Sequence, residues 1–106
     1  MSDFITEADF AANLNSVFRV NAETPKPVEL TLVEVIHRVT EAHEQEGMER
    51  FSLIFTGPDD MFLQQSTFPF IHEVLGELDL FLVPLGRETG EFRYEAVFNF
   101  YRSPAG

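Results

Sequence analysis

The forty residues from 62 to 101 constrain the fold more than any other part of the chain. Apolar and polar residues alternate within them, and glycine-containing turns interrupt the alternation at 74–76 and 86–90. A period of two is the spacing at which side chains share one face of a β-strand, and glycine supplies the backbone conformations of tight turns. The segment therefore predicts three antiparallel strands joined by two tight turns. The strands are predicted at residues 62–72, 77–85 and 91–102.

The last of these strands has one aromatic face. Phe92, Tyr94 and Phe98 fall on the same side of the alternation, and Arg93 and Glu95 fall on the other side. This pattern is typical of a strand with one side on the core. A small barrel is normally filled by its own side chains, but an unfilled interior would make these three aromatic residues the walls of a ligand cavity.

The strand at 77–85 is apolar on both faces. Leucines at every second position form one face, and Phe81, Val83 and Leu85 form the other. Such a strand is expected to be covered on both sides, by the helix or by another subunit. Phe81, Val83 and Leu85 are therefore the candidate interface residues.

The first half of the chain predicts one short helix and three further strands. Thr6 followed by acidic residues is typical of a helix N-cap, and the apolar spacing favours a helix over residues 6–14. Inside the third element the apolar phase shifts between Leu32 and Val33, which indicates a bulge or bend. Residues 40–50 are polar and predict an exposed connection. The strands are predicted at residues 16–21, 28–39 and 51–56, and a turn is predicted at Gly57–Asp60 after the last of them.

These elements predict a single domain over residues 1–106 that is mainly β. About six antiparallel strands form a small meander barrel or roll, with one short N-terminal α-helix. A chain of 106 residues is long enough to bury a core without covalent crosslinks, and twelve phenylalanines supply that core.

Composition excludes several functions. The chain has no cysteine, so disulfides, thiolate metal sites and cysteine nucleophiles are excluded. Its net charge of −11 opposes binding to nucleic acid or to an anionic membrane, and no basic cluster offsets that charge. The first residues do not resemble a secretory signal, and no apolar run is long enough for a membrane helix. A cytoplasmic protein that needs no cofactor is expected.

Histidines are the residues most able to carry chemistry. His37, Glu41 and His43 are weak candidates for a metal site, but they are predicted on a strand end and a charged loop that would not fix ligand geometry. His72-Glu73 begins like a zinc-protease motif, yet Gly76 stands where the second histidine belongs. A histidine bonded to the backbone near a turn is the expected role of His72.

No nucleophile elbow, phosphate-binding loop or hydrolase triad is visible in the sequence. An enzyme is therefore not expected. Catalysis by His37, His72 and nearby acids would require their strand ends to meet in one cleft.

Several local patterns resemble a small bacterial domain family of unknown function. They are FSLIF at 51–55, L-x-Q-x-T-F-x-F-x-H at 63–72, LGELDLFLVPLG at 75–86 and YEAVFN at 94–99. The start of the helix, with TEADF and LNSVF, is similar as well. The family's usual glycine after the first glutamine is replaced by Gln65-Ser66, and its usual His-Pro is His72-Glu73 here. No catalytic activity is attached to that family. Its members are often encoded near proteins that resemble phage tail-collar or tail-fibre components, so the resemblance implies an accessory or assembly role.

Two functions follow as hypotheses. The first is a non-enzymatic binding or assembly module that contacts a protein partner or a second copy of itself, most simply as a dimer, through a sheet edge or the apolar face at 77–85. The alternative is a small-ligand-binding barrel with an aromatic cavity at Phe92, Tyr94 and Phe98.

Overall fold

One short helix and six strands make up the fold. The computed structural model describes residues 6–21, 28–38 and 48–101, and the side chains of all of these except residues 48, 49 and 99–101. Helix α1 (Glu7–Ala11) precedes the strands. The strands are β1 (Val17–Val20), β2 (Val28–His37), β3 (Met48–Pro58), β4 (Ser66–His72), β5 (Gly76–Glu88) and β6 (Glu91–Tyr101).

The six strands form one antiparallel sheet that closes into a ring. Their order is β1, β2, β3, β6, β5, β4, and β4 pairs with β1 where Val20 faces Phe70. The predicted mainly β fold, with six antiparallel strands and an N-terminal helix, is confirmed. The order differs from a single meander because β6 lies between β3 and β5. Two three-stranded meanders are thus joined along β3 and β6, over eleven residue pairs from Met48–Tyr101 to Pro58–Glu91.

The predicted phase shift in β2 is a β-bulge. The register between β2 and β3 shifts between Leu32 and Glu34, so Leu32 faces Phe55 and Glu34 faces Ile54. An extra residue in one strand changes which side chains face inward beyond it. Strict alternation would place Leu32 and Val35 on opposite faces of the strand. Because of the bulge, both side chains pack against the core.

The inside of the ring is filled by apolar side chains from the helix and from every strand. Phe10, Phe18, Phe51, Phe55 and Phe70 are fully buried. Phe18 contacts Phe55 edge to face at a centroid distance of 5.3 Å, and Phe55 contacts Phe70 at 5.5 Å. Aromatic pairs in such geometries contribute about 0.5–1.5 kcal/mol each beyond the area they bury.

The helix is shorter than predicted. It covers only Glu7–Ala11, because residues 12–15 form a turn in which the Asn13 and Leu14 N–H groups bond three residues back and the Asn15 N–H donates to the Leu32 carbonyl. Leu14, the last residue of the predicted helix, is 40% exposed.

Strand β3 is longer than predicted at both ends. It begins at Met48, inside the predicted polar connection, and it includes Gly57 and Pro58, which were predicted in a turn. Gly57 lies inside the ring, where a Cβ atom would lie only 2.5 Å from a methyl carbon of Leu30 and 3.4 Å from the Tyr94 ring. Glycine is therefore required by close packing here, not by a turn.

The hairpin between β5 and β6 is tighter than predicted. Strand β5 continues to Glu88, so the loop consists of Thr89 and Gly90 alone. Both have positive φ, 52° and 79°, as a two-residue type I′ turn requires. A second bulge lies between Pro84 and Gly86 and lets the strand extend past residue 85.

Strand β4 starts later than predicted, at Ser66 instead of residue 62. Leu63 is nevertheless buried, and its backbone N–H donates to the Tyr94 hydroxyl at 3.1 Å. This bond satisfies both buried groups and fixes the segment before β4 against β6.

Candidate functional site

Helix α1 closes one end of the ring. Phe10 points inward from the helix and contacts Phe98, Phe51 and Phe18 at centroid distances of 5.3, 5.9 and 6.3 Å. Phe51 and Phe98 stack almost parallel at 4.8 Å. We call these four residues the aromatic plug. Their dense packing leaves this end of the ring filled.

The helix is held in place by its N-cap. The Thr6 hydroxyl accepts from the Asp9 backbone N–H at 3.2 Å, and the Asp9 carboxylate accepts from the Thr6 N–H at 2.9 Å. This capping box satisfies two otherwise unpaired donors, and it confirms the predicted N-cap. Glu7 in the first turn lies 2.8 Å from His37 Nδ1, which connects the helix to the end of β2.

His72 connects the other side of the plug to the turn between β4 and β5. It is 5% exposed, and its ring lies 4.3 Å from the Phe18 ring. Nδ1 accepts from the backbone N–H groups of Val74 and Leu75, both at 3.0 Å. The prediction of a backbone-bonded histidine near a turn is confirmed.

The other ring nitrogen of His72 bonds to a serine. Nε2 lies 2.8 Å from the Ser16 hydroxyl, and that hydroxyl donates to the Asn13 carbonyl at 2.5 Å. Since Nδ1 accepts two N–H groups, the ring proton of the neutral imidazole is on Nε2, which donates to Ser16. Burial lowers the pKa of His72 from its usual value of 6.5, and Glu73 opposes that shift.

The Ser16–His72 pair has the distance of a nucleophile and its base but the opposite proton arrangement. A general base would need a free lone pair on Nε2 to receive the serine proton. Here Nε2 carries the proton, and the Ser16 hydrogen is directed to the Asn13 carbonyl. Sequence reasoning missed this contact, since 56 positions separate the two residues.

The two described histidines, His37 and His72, do not share a site. His37 bonds to Glu7, whereas His72 bonds to Ser16 and to two backbone amides, so the geometry that catalysis by both would require is not formed. Of the proposed metal ligands, His37 is described, and Glu41 and His43 lie outside the described residues. Within the described ranges, no group of three or more potential ligands is positioned to hold a metal ion.

The three aromatic residues proposed to line a cavity all face the inside of the ring, and two of them, Phe92 and Tyr94, are brought together at a centroid distance of 6.5 Å. Phe98 belongs to the aromatic plug. Phe92 lies near the other end and contacts Phe62 at 5.0 Å. Tyr94 is fully buried between these ends, with its hydroxyl bonded to the Leu63 backbone. An open groove of about 410 Å³ lies elsewhere, outside β4 and β5, where Ile71, Glu77 and Asp79 form part of its wall.

The candidate interface residues lie on the outside of the ring. Phe81 is 49% and Leu85 is 51% exposed, and Val83 is half-buried between them. Val97 of β6, which the sequence analysis did not single out, is 50% exposed. Because Leu82 pairs with Ala96, the side chains of Phe81 and Val97 lie beside each other on the outward side. We call these four residues the apolar patch.

The outward side of the sheet continues from the apolar patch across β6 onto β3, where Ser52 and Ile54 are 0% and 4% exposed, and onto β2. Val97 faces Ser52, which in turn faces Ile36, and Glu95 faces Ile54. The Arg38 side chain donates to the Ser52 hydroxyl at 2.7 Å and lies 3.4 Å from the Glu95 carboxylate. We call the outward side of β2, β3, β6 and β5 the outer wall.

Comparison with known families places the sequence. A family model described as Domain of unknown function (DUF6916) matches residues 5–98. The chain belongs to this family. The DUF6916 match spans the helix, all the described loops and nearly the whole of the six strands. No curated protein and no solved structure matches the sequence. In the part of the chain that the structure describes, no helix has the length and apolarity that crossing a membrane demands.

Proposed function

We propose that the protein is a non-enzymatic assembly module that makes protein–protein contacts through the outer wall. Its partner is another protein or a second copy of the chain. An accessory role in a phage-tail-like structure is part of this proposal and rests on the family resemblance. A cytoplasmic location is also part of it, and the absence of cysteine supports that location.

The apolar patch is the observation that carries the proposal. Three large apolar side chains, Phe81, Leu85 and Val97, are each about half exposed on one side of the ring. Neighbouring apolar groups left in water favour a surface that another protein covers. An aromatic residue beside aliphatic residues is also the composition that the centre of an interface prefers.

Closure of the sheet favours a face over an edge. Each of the six described strands has a neighbour on both sides. β4 pairs with β1 only at Phe70 and Ile71, so the free edges among the described strands are short. A partner therefore has little edge to extend by backbone pairing, which is the usual alternative mode of strand-based binding. Of the two contact modes considered from the sequence, the face at 77–85 is the one that this topology supports.

The reactive side chains support a non-enzymatic role. Ser16 and His72 satisfy each other and nearby backbone groups in the arrangement opposite to a catalytic pair. No buried side-chain nitrogen or oxygen of the described residues lacks a hydrogen-bond partner. Polar groups that are fully satisfied stabilise the fold and have no remaining capacity for a substrate.

Affinity capture from a lysate of the host tests the proposal when three forms of the tagged chain are compared. The wild type is compared with Phe81→Thr/Val97→Thr and with a matched control, Val17→Thr/Ile71→Thr. The control residues are 49% and 44% exposed on β1 and β4, away from the outer wall. We expect the wild type and the control to retain one stoichiometric protein, and the outer-wall variant to lose it. Equal recovery by all three forms would refute the proposal.

A further inference from the structure

The turn between β4 and β5 depends on a side chain for its hydrogen bonds. It consists of Glu73, Val74 and Leu75, and His72 and Gly76 pair across its base. In the described part of the chain, no backbone carbonyl accepts from the N–H of Val74 or of Leu75. Both amides donate instead to Nδ1 of His72, each at 3.0 Å. A single lone pair on the imidazole therefore fixes two consecutive amides of this turn.

That lone pair is also the place where the imidazole takes up a proton. Nε2 already carries a hydrogen and lies 2.8 Å from the Ser16 hydroxyl, so a second proton binds to Nδ1. The new N–H then points at the two N–H groups that donated to Nδ1, and three donors meet without an acceptor. Because an unpaired buried donor is costly, a protonated His72 and the closed turn exclude each other. The bond to Ser16 is compatible with both forms, since Nε2 donates in each.

The charged groups around His72 determine which partner a protonated ring can find. Those on the elements around it are Glu7 and Asp9 of α1, Arg19 of β1, Glu73 of the turn and Glu77 of β5.

Most of these groups have other positions or partners. Glu7 bonds to His37, and the Asp9 carboxylate accepts from the helix N-cap. Arg19 and Glu77 lie opposite Ile71, whose side chain points outward, whereas the His72 ring points inward.

Glu73 is different, because it follows His72 directly and is exposed. Burial lowers the pKa of His72, and the charge of Glu73 acts in the opposite direction. The Glu73 carboxylate is thus the acceptor nearest in the chain to a protonated Nδ1.

We propose that His72 is a proton switch for the turn between β4 and β5. With a neutral ring, the turn is closed on Nδ1. When Nδ1 takes up a proton, the amides of Val74 and Leu75 lose their acceptor, the turn opens, and Glu73 becomes the partner of Nδ1–H. Ser16 remains bonded to Nε2, so the change is confined to the turn. The switch does not depend on the proposed assembly role.

Opening of the turn changes the surface at this end of the ring. In the closed turn Leu75 packs against the core, and Val74 beside it is 71% exposed. An open turn brings Leu75 into water next to Val74. Because burial lowers the pKa of His72 from 6.5, the turn is closed at neutral pH and opens as the pH falls below that value.

NMR of the ¹⁵N-labelled chain tests the switch between about pH 7.5 and about pH 5. We expect the His72 ring to carry its proton on Nε2 at the upper pH and to titrate below 6.5. The amide signals of Val74 and Leu75 should shift with the same midpoint. Their protection from hydrogen exchange, corrected for the intrinsic pH dependence, should fall at least about tenfold. Thr89 and Gly90, in the turn between β5 and β6, lack a neighbouring histidine and should not change.

Two variants sharpen the test. His72→Asn keeps an acceptor for the turn but cannot take up a proton, so its Val74 and Leu75 amides should show no transition. The same transition in His72→Asn would assign it to another group and overturn the switch. Glu73→Gln removes the charge that favours the protonated ring, so the midpoint should move to lower pH. An unchanged or higher midpoint would contradict Glu73 as the new partner.

Four results in the wild type would also overturn the switch. The first is a ring proton on Nδ1 at neutral pH, and the second is a ring that stays neutral down to about pH 5. The third is a pair of turn amides that remain unchanged while His72 titrates. The fourth is a loss of protection at Leu53, in the core of β3, with the same midpoint, because the whole fold would then be opening and not the turn alone.

Discussion

The plugged end of the ring and the outer wall both contain large apolar side chains, but these are buried at the plugged end and exposed on the outer wall. At the plugged end, aromatic rings are packed on one another, and His72, Ser16 and Thr6 have all found hydrogen-bond partners. On the outer wall, Phe81 and Val97 remain about half in water. The side chains that look reactive in the sequence are thus already hydrogen-bonded within the fold. The exposed apolar surface consists of residues that have no reactive groups. The proposed function accordingly rests on the exposed outer wall and not on the histidines.

Phe10→Ala gives the largest effect expected at the plugged end. It removes the fully buried ring that contacts Phe18, Phe51 and Phe98, and it leaves a cavity. We expect a loss of about 3–5 kcal/mol in the free energy of unfolding, measured by urea denaturation. Leu14→Ala is the control, because Leu14 is in the turn after the helix but 40% exposed. Similar losses for both variants would contradict a packed plug.

His72 predicts a pH dependence of stability. Burial lowers its pKa in the folded state below 6.5, with Glu73 as the opposing charge. Below pH 6.5 the unfolded chain therefore binds a proton that the folded chain excludes, so stability present above that pH is lost as the pH falls. For a single proton, the free energy of unfolding falls by at most about 1.4 kcal/mol per pH unit.

His72→Asn sharpens this prediction. An asparagine carbonyl oxygen can accept from the turn in place of Nδ1 but does not titrate. We expect its unfolding free energy, measured by denaturation at several pH values below 7, to fall less steeply than that of the wild type. Parallel curves for the two proteins would show that His72 is not the group responsible.

Thr89→Asn should stabilise the hairpin beyond the outer wall. Thr89 adopts a positive φ of 52°, which a β-branched residue disfavours and which asparagine tolerates. We expect a gain of about 0.5–1 kcal/mol, read as a higher midpoint in thermal denaturation. Glu88→Gln, just before the two loop residues, weakens only the exposed ion pair with Arg93 at 3.9 Å, so it should change the midpoint little. A lower midpoint for Thr89→Asn would indicate a different turn in solution.

Phe81→Thr should have the smallest effect on stability and completes the comparison with Phe10→Ala. Its ring is 49% exposed, and threonine suits a strand. We expect a change within about 0.5 kcal/mol, measured by urea denaturation at a concentration at which the chain is monomeric. A loss comparable to that of Phe10→Ala would mean that Phe81 is a core residue.

Local patterns accounted for much of the fold. The alternation placed Tyr94 inside and Phe81 outside the ring, and the phase shift after Leu32 located the bulge, because each depends on neighbours in sequence. The pairing of β3 with β6 was not predictable in this way. Both strands alternate similarly, and nothing in either specifies its neighbour across the sheet. The turn prediction at Gly57 failed because glycine can serve close packing as well as a turn.

The candidate site was less predictable than the fold. Phe81, Val83 and Leu85 were identified because their strand is apolar on both faces. Val97 was missed because its strand otherwise alternates regularly, although its position in that alternation already placed it outward. The Ser16–His72 contact depends on the pairing of β1 with β4, which brings distant segments together. The tautomer of His72 and the exposed fraction of Phe81 are properties of the folded chain and have no signature in the sequence.

The pairing of β3 with β6 also affects when the chain can fold during its synthesis. The strand that completes the ring between β3 and β5 is the last of the six described strands to be synthesised. Until then, β1 to β3 and the β4–β5 hairpin can be joined only where β4 pairs with β1, and β3 has an open edge of eleven residues. The ring can therefore close only after β6 has been synthesised, and long-range pairing of this kind is slow. A nascent chain stalled before residue 91 would expose that edge to its neighbours on the same polysome.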